Sequence, residues 1–428
     1  MRCWASPDGA RLSGEFDPER ALAHVESLTA GIGPRLAGSL ADGRARAYAR
    51  AELAKRATVR EQGFPILTGE VDAYGLALTA PRETPIACAP FVMSGPGEVE
   101  GEILWAGPGE APEAARGKVL FWRIGARDEI LERYRLMAAL GPLAIVVVWN
   151  RPGPLPKYQR IAEARGREGP TPPSLAIRYE EGLLIEREGA RRARVSILGA
   201  VREGETGNVI GEIGGAAADR RVIVIGAHID TAPATPGAID NAAGVACMLE
   251  LARVWSTRAP RHAMRFVAWG AEKAGMVGAK HYLAGLSQAE LDRQALCICM
   301  DGFGAYDGAP VCYATGCESL TRLTGEACAD PETDVALRQG FYGSDSEMFV
   351  RRGVPSLTFG QEGESVAVLH TAQDQLSRID PRQLGRTGRA VDLVLQALDR
   401  APKWPIAARV SEVARAEADA QLRRMGWV

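Results

Sequence analysis

Residues 221–246, RVIVIGAHIDTAPATPGAIDNAAGVA, join an apolar run to two acid-bearing turns and then to a helix-like stretch. RVIVIGAHID reads as a buried strand, with His228 and Asp230 at its end. Asp240 and Asn241 stand where the next helix, AAGVACMLELARVW, begins. The order repeats downstream. AMRFVAWGAE is a strand ending at Glu272, and AGMVGAKHYLAGL is a helix. LCICM is a strand ending at Asp301, and a further strand, SLTFG, precedes His370 in VAVLHTAQDQ. This alternation implies an α/β fold with a mostly parallel sheet and helices on both faces. In such sheets ligands bind at the carboxyl ends of the strands.

Outward from this core the texture changes. Leu22, Val25, Leu28, Ile32 and Leu36 recur at near-helical spacing, and an Ala-rich helix follows to about Lys55, after the breaker Gly33-Pro34. From about Thr68 short runs such as GEILWAG, GKVLFWRIG and LAIVVVWN alternate with Gly and Pro, with one helix near Ile130 to Leu140. This reads as a small β-rich domain, with Pro152 to Pro173 as loop. Pro381 to Leu398 reads as a helix capped by Asp380, and a polar tail helix spans Ala408 to Met425.

Bulk properties narrow the function. The net charge of -2 and the lack of a basic run exclude a nucleic-acid surface as the expected partner. No run of about 18 apolar residues occurs, so no membrane partner is expected. The opening MRCWASPDGARLSGEFDPER lacks an apolar signal core, and the eight cysteines contain no CxxC pair. They read as reduced thiols of a cytoplasmic protein. Cys312 and Cys317 form the one close loop pair that could bridge.

A carboxylate at one strand end is most often a cap or a turn residue, and Asp240-Asn241 could cap the following helix. The series carries more weight. Imidazole with carboxylate suits zinc or a similar divalent ion. Two of the chain's five histidines, His228 and His370, fall in the series.

The successive stretches AHIDTAPATPGAIDNAAGVA, AWGAEKAGMVGAKHYL, MDGFG and LHTAQDQ resemble the motifs of the zinc-dependent exopeptidases, the co-catalytic metal aminopeptidases and glutamate carboxypeptidases. The opening AHVESLTAGIGPRLAGSLADGRARAYARAELAK is similar to their N-terminal helices. GKVLFWRIG with PTPPSLAIRYEEGLLI looks like the protease-associated domain that some members carry inserted. The resemblance implies a three-layer α/β/α sandwich from residues 1–69 and 201–400, an inserted protease-associated-like domain at 70–200, and a C-terminal tail at 401–428. It implies that His228, Asp240 and Asp301 bind one metal, that Asp240 bridges, and that His370 binds a second. It makes Asp230 the group that orients the His228 imidazole and Glu272 the general base. A cis peptide bond between Asp240 and Asn241 is expected on the same ground.

Lys273 departs from the family pattern, which has a second glutamate there as a metal ligand. A protonated lysine has no lone pair and cannot ligate. Its ammonium adds the same net charge as a glutamate with a divalent ion, so one zinc per chain is expected, with two as the alternative. Lys273 could instead point away, with Glu347 or Glu364 supplying the bond, or it could be carboxylated and bridge two ions. The expected reaction is hydrolysis of an amide bond in a small peptide-like substrate. A homo-oligomer is possible. A different enzyme on the same fold, such as a cyclase, and a non-catalytic binding protein are the alternatives.

Overall fold

A computed structural model describes residues 15–125, 130–154, 171–218, 220–407 and 409–424. Cys3 and residues 155–170 of the expected Pro-rich loop lie outside the described residues.

The first helices are α1 (Pro18–Glu26) and α2 (Leu40–Ala54), each capped by a side chain: Asp17 accepts from Glu19 N and Ser39 from Asp42 N. Between them Ser27–Ile32 forms a wider π-type turn. Strand β1 (Thr58–Ala80) then begins, followed by the short β2 (Thr84–Ile86) and β3 (Ala89–Pro90). Strands β4 (Gly97–Ala106), β5 (Val119–Arg123), β6 (Ala144–Val148) and β7 (Ser174–Ile177) come next, with α3 (Ile130–Ala139) after β5 and α4 (Tyr179–Arg187) after β7. Strand β8 (Arg192–Ile213) leads back to β9 (Val222–His228), α5 (Ala243–Ser256) and β10 (Ala263–Trp269). Then follow α6 (Val277–Ala284), α7 (Gln288–Arg293), β11 (Gln294–Met300), β12 (Gly308–Thr315), α8 (Glu318–Ala327) and β13 (Ala336–Gln339). The chain ends with α9 (Ser346–Arg351), β14 (Ser356–Gly363), α10 (Pro381–Arg400) and α11 (Glu412–Arg424). Asp380 caps α10 with Pro381 at its first position, as the sequence implied.

The central sheet runs β13-β12-β14-β11-β9-β10-β8. Its middle, β14-β11-β9-β10, is parallel, while β12 runs antiparallel to β14 and β8 antiparallel to β10. Every residue of β9, β10 and β11 is buried. Successive strand residues point to opposite faces, so the apolar runs feed two cores. Ile223, Ile225, Phe266 and Ile298 pack under α1, α2, α5 and α10. Val222, Val224, Val267, Trp269 and Cys297 pack against α6, α7 and α9 on the other side. The three-layer α/β/α arrangement follows directly.

Residues 70–200 have cores of their own. Phe121, Val146 and Ile177 gather on the α4 face and Leu120, Ile145 and Trp149 on the α3 face, so the expected helix α3 is joined by a second, α4, on the other face. The tie of residues 70–200 to the main sheet is one antiparallel ribbon, in which β1 and β8 pair from Thr58↔Glu212 to Ala80↔Arg192. At about 3.3 Å per residue such a ribbon spans on the order of 70 Å. Its lower half borders β10 through Val209–Ile213 and its upper half borders β4 through Arg192–Ile197. The residue pair Gly69↔Val201 lies between the two. The expected boundary therefore falls within continuous strands, where composition gave no linker to find.

Candidate active site

Four parallel strands bring the acidic and imidazole groups to one edge. His228 is the last residue of β9, Asp301 follows β11, and Glu272 and Lys273 lie in the turn after β10. Asp240 sits in the turn that enters α5, and His370 follows β14 after a short 3-10 turn. The seven residues singled out from sequence are all close to this edge.

The candidate metal-ligand set is compact. One ligand atom each from His228, Asp240 and Asp301 lies within 4.8 Å of the others, and all three residues are buried. His228 Nε2 is 2.9 Å from Asp240 Oδ1 and 3.2 Å from Asp301 Oδ1. On the other side of Asp240, Oδ2 is 2.9 Å from His370 Nε2. One imidazole and two carboxylates converging on one point fit a zinc-type ion.

Asp230 meets the His228 imidazole through its main chain. His228 Nδ1 meets the main-chain carbonyl of Asp230 at 2.9 Å, whereas the nearer carboxylate oxygen is 3.7 Å away. A carbonyl only accepts, so Nδ1 carries a hydrogen and Nε2 is the nitrogen that faces the ligand set. The Asp230 carboxylate instead accepts the backbone N–H groups of Glu272 (2.9 Å) and Lys273 (3.0 Å). The carbonyl thus holds the imidazole and the carboxylate holds the turn that carries Glu272 and Lys273. That turn is flanked by Ala271 and Met276 at φ 56° and 55°, a region that costs non-glycine residues energy and persists only where the surroundings hold it.

Asp240 and Asn241 divide the work at the start of α5. The bond between them is cis, as expected. Asn241 serves the helix: its Oδ1 accepts Gly244 N at 3.1 Å and its Nδ2 donates to Met300 O at 2.8 Å. Asp240 is left to face the site.

Lys273 points inward. Its Nζ lies 2.8 Å from Asp240 Oδ1 and 2.9 Å from Glu272 Oε2, which removes the reading in which it turns away. Of the two substitute acids, Glu347 accepts Gly343 N at Oε1 (2.5 Å) and keeps Oε2 buried without a hydrogen-bond partner, while Glu364 is exposed.

The charges are strongly coupled. Burial raises the Asp240 acid, but Lys273, His228 and His370 together hold it well below the usual carboxylate range. Burial and Lys273 lower the His228 pKa, yet Asp301, Glu272 and Asp240 push it well above the ordinary value. Burial, with help from Glu272, raises Asp230 to about 6 against the opposing His228 and Lys273 charges.

Three contributors were missed in the sequence. Asp374 lies in the quoted LHTAQDQ and its carboxylate accepts Ile239 N at 2.7 Å and Asp240 N at 3.1 Å, so it holds the Asp240 turn; burial pushes it up to about 7. Arg35, in the quoted GIGPRLAG, donates to the carbonyls of Leu28, Gly33, Ile229, Pro236 and Gly237. Tyr342 lies in the loop between β13 and α9, with its hydroxyl over Gly302, where a Cβ would meet it at 2.6 Å. No local pattern marks these three, because their partners are distant in sequence. Cys312 and Cys317 are both free, so no bridge joins them.

Residues 208–395 match the family described as Peptidase family M28, and this span contains all seven site residues. The chain is 25% identical to the aminopeptidase YwaD of Bacillus subtilis over 410 residues, covering 91% of this chain and 86% of that one. Its fold is similar to that of a zinc aminopeptidase from Bacillus subtilis, BSAP, with a TM-score of 0.75 at 23% identity over 93% of this chain and 100% of that one. A Peptidase M28 precursor from Shewanella amazonensis gives a TM-score of 0.78 at 21% identity over 92% and 96% of the two chains. The resemblance to zinc-dependent exopeptidases and the α/β/α fold are borne out. Among the described residues no helix is long and apolar enough to cross a membrane.

Proposed function

We propose that this chain, whose residues 208–395 match Peptidase family M28, is a zinc-dependent hydrolase that cleaves a peptide or peptide-like amide bond of a small substrate. The observation that carries the reading is the meeting of His228, Asp240 and Asp301 at the strand ends with the Glu272 carboxylate beside them, 3.8 Å from His228 Nε2. His228, Asp240 and Asp301 would hold the zinc. A bound zinc supplies a Lewis acid that lowers the pKa of water and polarises a carbonyl.

The chain's own groups do the rest. Glu272 takes a proton from the attacking water at its carboxylate and returns it to the leaving amine. Its backbone N–H, held on Asp230, fixes where that carboxylate points. The Asp230 carbonyl keeps His228 in the tautomer that ligates. Asp374 and Arg35 steady the two turns from which Asp230 and Asp240 project. The Tyr342 hydroxyl, 3.5 Å from Gly302 O, stands at the rim as a donor for a developing oxyanion.

The inserted segment 70–200 is assigned as a protease-associated-like unit that limits substrate size, a reading supported by its separate cores and by its having no histidine. A reducing, cytoplasmic setting accords with the seven free cysteines among the described residues.

The test is a screen of aminoacyl anilides, dipeptides and N-acylated peptides with zinc-loaded and chelator-treated protein. Hydrolysis of at least one class is expected, lost on chelation and restored by zinc. Hydrolysis that survives complete metal removal would reject the reading.

A further inference from the structure

The Lys273 side chain is only 12% exposed and its ammonium lies among the metal-ligand candidates. Besides its contacts with Asp240 and Glu272, Nζ is 3.2 Å from His228 Nε2. Its direction is fixed from behind, because Lys273 N and Glu272 N both donate to the Asp230 carboxylate.

We propose that the Lys273 ammonium is the resident second cation of this site and that it restricts the chain to a single zinc. The inference rests on the zinc-hydrolase reading above. Charge balance is the first support. Asp240, Glu272 and Asp301 bring three negative charges into a buried space, where charge must be compensated. One divalent ion and one ammonium compensate them in full. A second divalent ion would add two further positive charges beside the ammonium, in a medium that screens them poorly.

Ligand supply is the second support. Beyond the His228–Asp240–Asp301 set, the groups in contact with Asp240 among the described residues include His370 Nε2, at 2.9 Å from Oδ2, and the Lys273 nitrogen, which as an ammonium has no lone pair. Glu364 is exposed, and one carboxylate oxygen of Glu347 is already engaged with Gly343 N. Asp240 Oδ2 and His370 alone fall short of the three protein ligands a catalytic zinc uses.

A consequence follows for the first zinc. The ammonium contacts two of its ligands, so it opposes loading while it supplies the charge that a second ion would otherwise bring. It also grips Glu272 at Oε2, which makes Lys273 a positioning residue for the base.

The experiment is elemental analysis of the full chain after saturation with zinc and removal of loosely bound ions, together with a zinc titration by calorimetry. The unmodified protein is expected to hold about one zinc per chain in a single binding event. Lys273→Glu supplies a fourth carboxylate and a new lone pair beside His370, and should raise the count to about two. Lys273→Gln removes the competing charge, and should bind the first zinc about tenfold more tightly. Two zincs in the unmodified protein would overturn the proposal while leaving the hydrolase reading intact. A count of one in a Lys273→Glu protein with native thermal unfolding would overturn it as well. Should Lys273→Glu fail to fold, unchanged or weaker zinc affinity in Lys273→Gln would do the same. No tightly held zinc in any of the three would sink the zinc reading and this proposal together.

Discussion

Arg35→Met should be the most damaging substitution outside the metal-ligand set. The Arg35 side chain is 1% exposed and donates from Nε to Ile229 O at 3.0 Å, from Nη1 to Leu28 O and Gly33 O at 3.0 Å and Pro236 O at 2.8 Å, and from Nη2 to Gly237 O at 3.0 Å. Hydrogen bonds from a charged donor contribute roughly 1.5–3 kcal/mol each, so five would suggest a large total. Desolvation of the guanidinium opposes that total. Burial lowers the Arg35 pKa from 12.5 to about 10, a difference worth about 3 kcal/mol against the charged form. Truncation would take a donor from five carbonyls, of which Leu28 O and Gly237 O keep a backbone N–H, and the net loss should be about 3–5 kcal/mol, the range for removing one partner of a buried charged network. Zinc affinity should fall too, since the segment from Ile229 to Gly237 carries Asp230 and leads into Asp240. Arg35→Lys keeps the charge but loses the fork, and should give an intermediate loss. Urea unfolding followed by tryptophan fluorescence, with zinc retention measured in parallel, is the assay. A loss below about 1 kcal/mol with unchanged zinc retention would refute the idea that Arg35 ties the N-terminal helices to the metal turns.

Three further outcomes are expected. Glu272→Gln should keep the fold and the zinc but lower kcat at least about a hundredfold, the usual scale for loss of an acid/base; near-normal turnover would remove Glu272 from that role. Burial, with the Glu272 charge, raises Glu347 from 4.5 to about 7. The folded chain thus keeps a proton that the unfolded chain releases above about 4.5, so stability is fully present below that pH and falls as pH rises to about 7, by about 3 kcal/mol. Glu347→Gln should flatten that part of the profile, read as the difference in urea midpoint between pH 5 and pH 8 in the two proteins; an identical slope in both would show that the acid does not titrate there. His228→Ala should abolish tight zinc binding in a calorimetric titration, and full retention would place the metal elsewhere.

Much of the site was legible because each functional residue sits at a local signal. His228, Glu272 and Asp301 each end or follow an apolar run, and a run of that kind announces a buried strand without any knowledge of its neighbours. The order strand, acid or imidazole, helix then placed the groups at one edge, since parallel strands share their carboxyl ends. The Asp380-Pro381 start of α10 was readable for the same reason: a cap acts within one turn. What the chain alone could not supply were the contacts between distant segments. Whether Lys273 turned inward or outward depended on the Asp230 carboxylate fixing its backbone from 43 residues away. Asp230 gave its carbonyl, not its carboxylate, to His228 because that carboxylate was already committed to Glu272 and Lys273. Arg35 looked like one basic residue in a turn, and its carbonyl partners Pro236 and Gly237 lie 201 and 202 residues away. The expected boundary of residues 70–200 was hidden inside the β1–β8 ribbon, whose strands run unbroken past it and differ on its two sides in the neighbour of β8, β10 below and β4 above. Periodicity and capping act within a few residues and are written in the sequence. The direction of a buried charge is set by whichever partners folding brings to it, and only the tertiary structure names them.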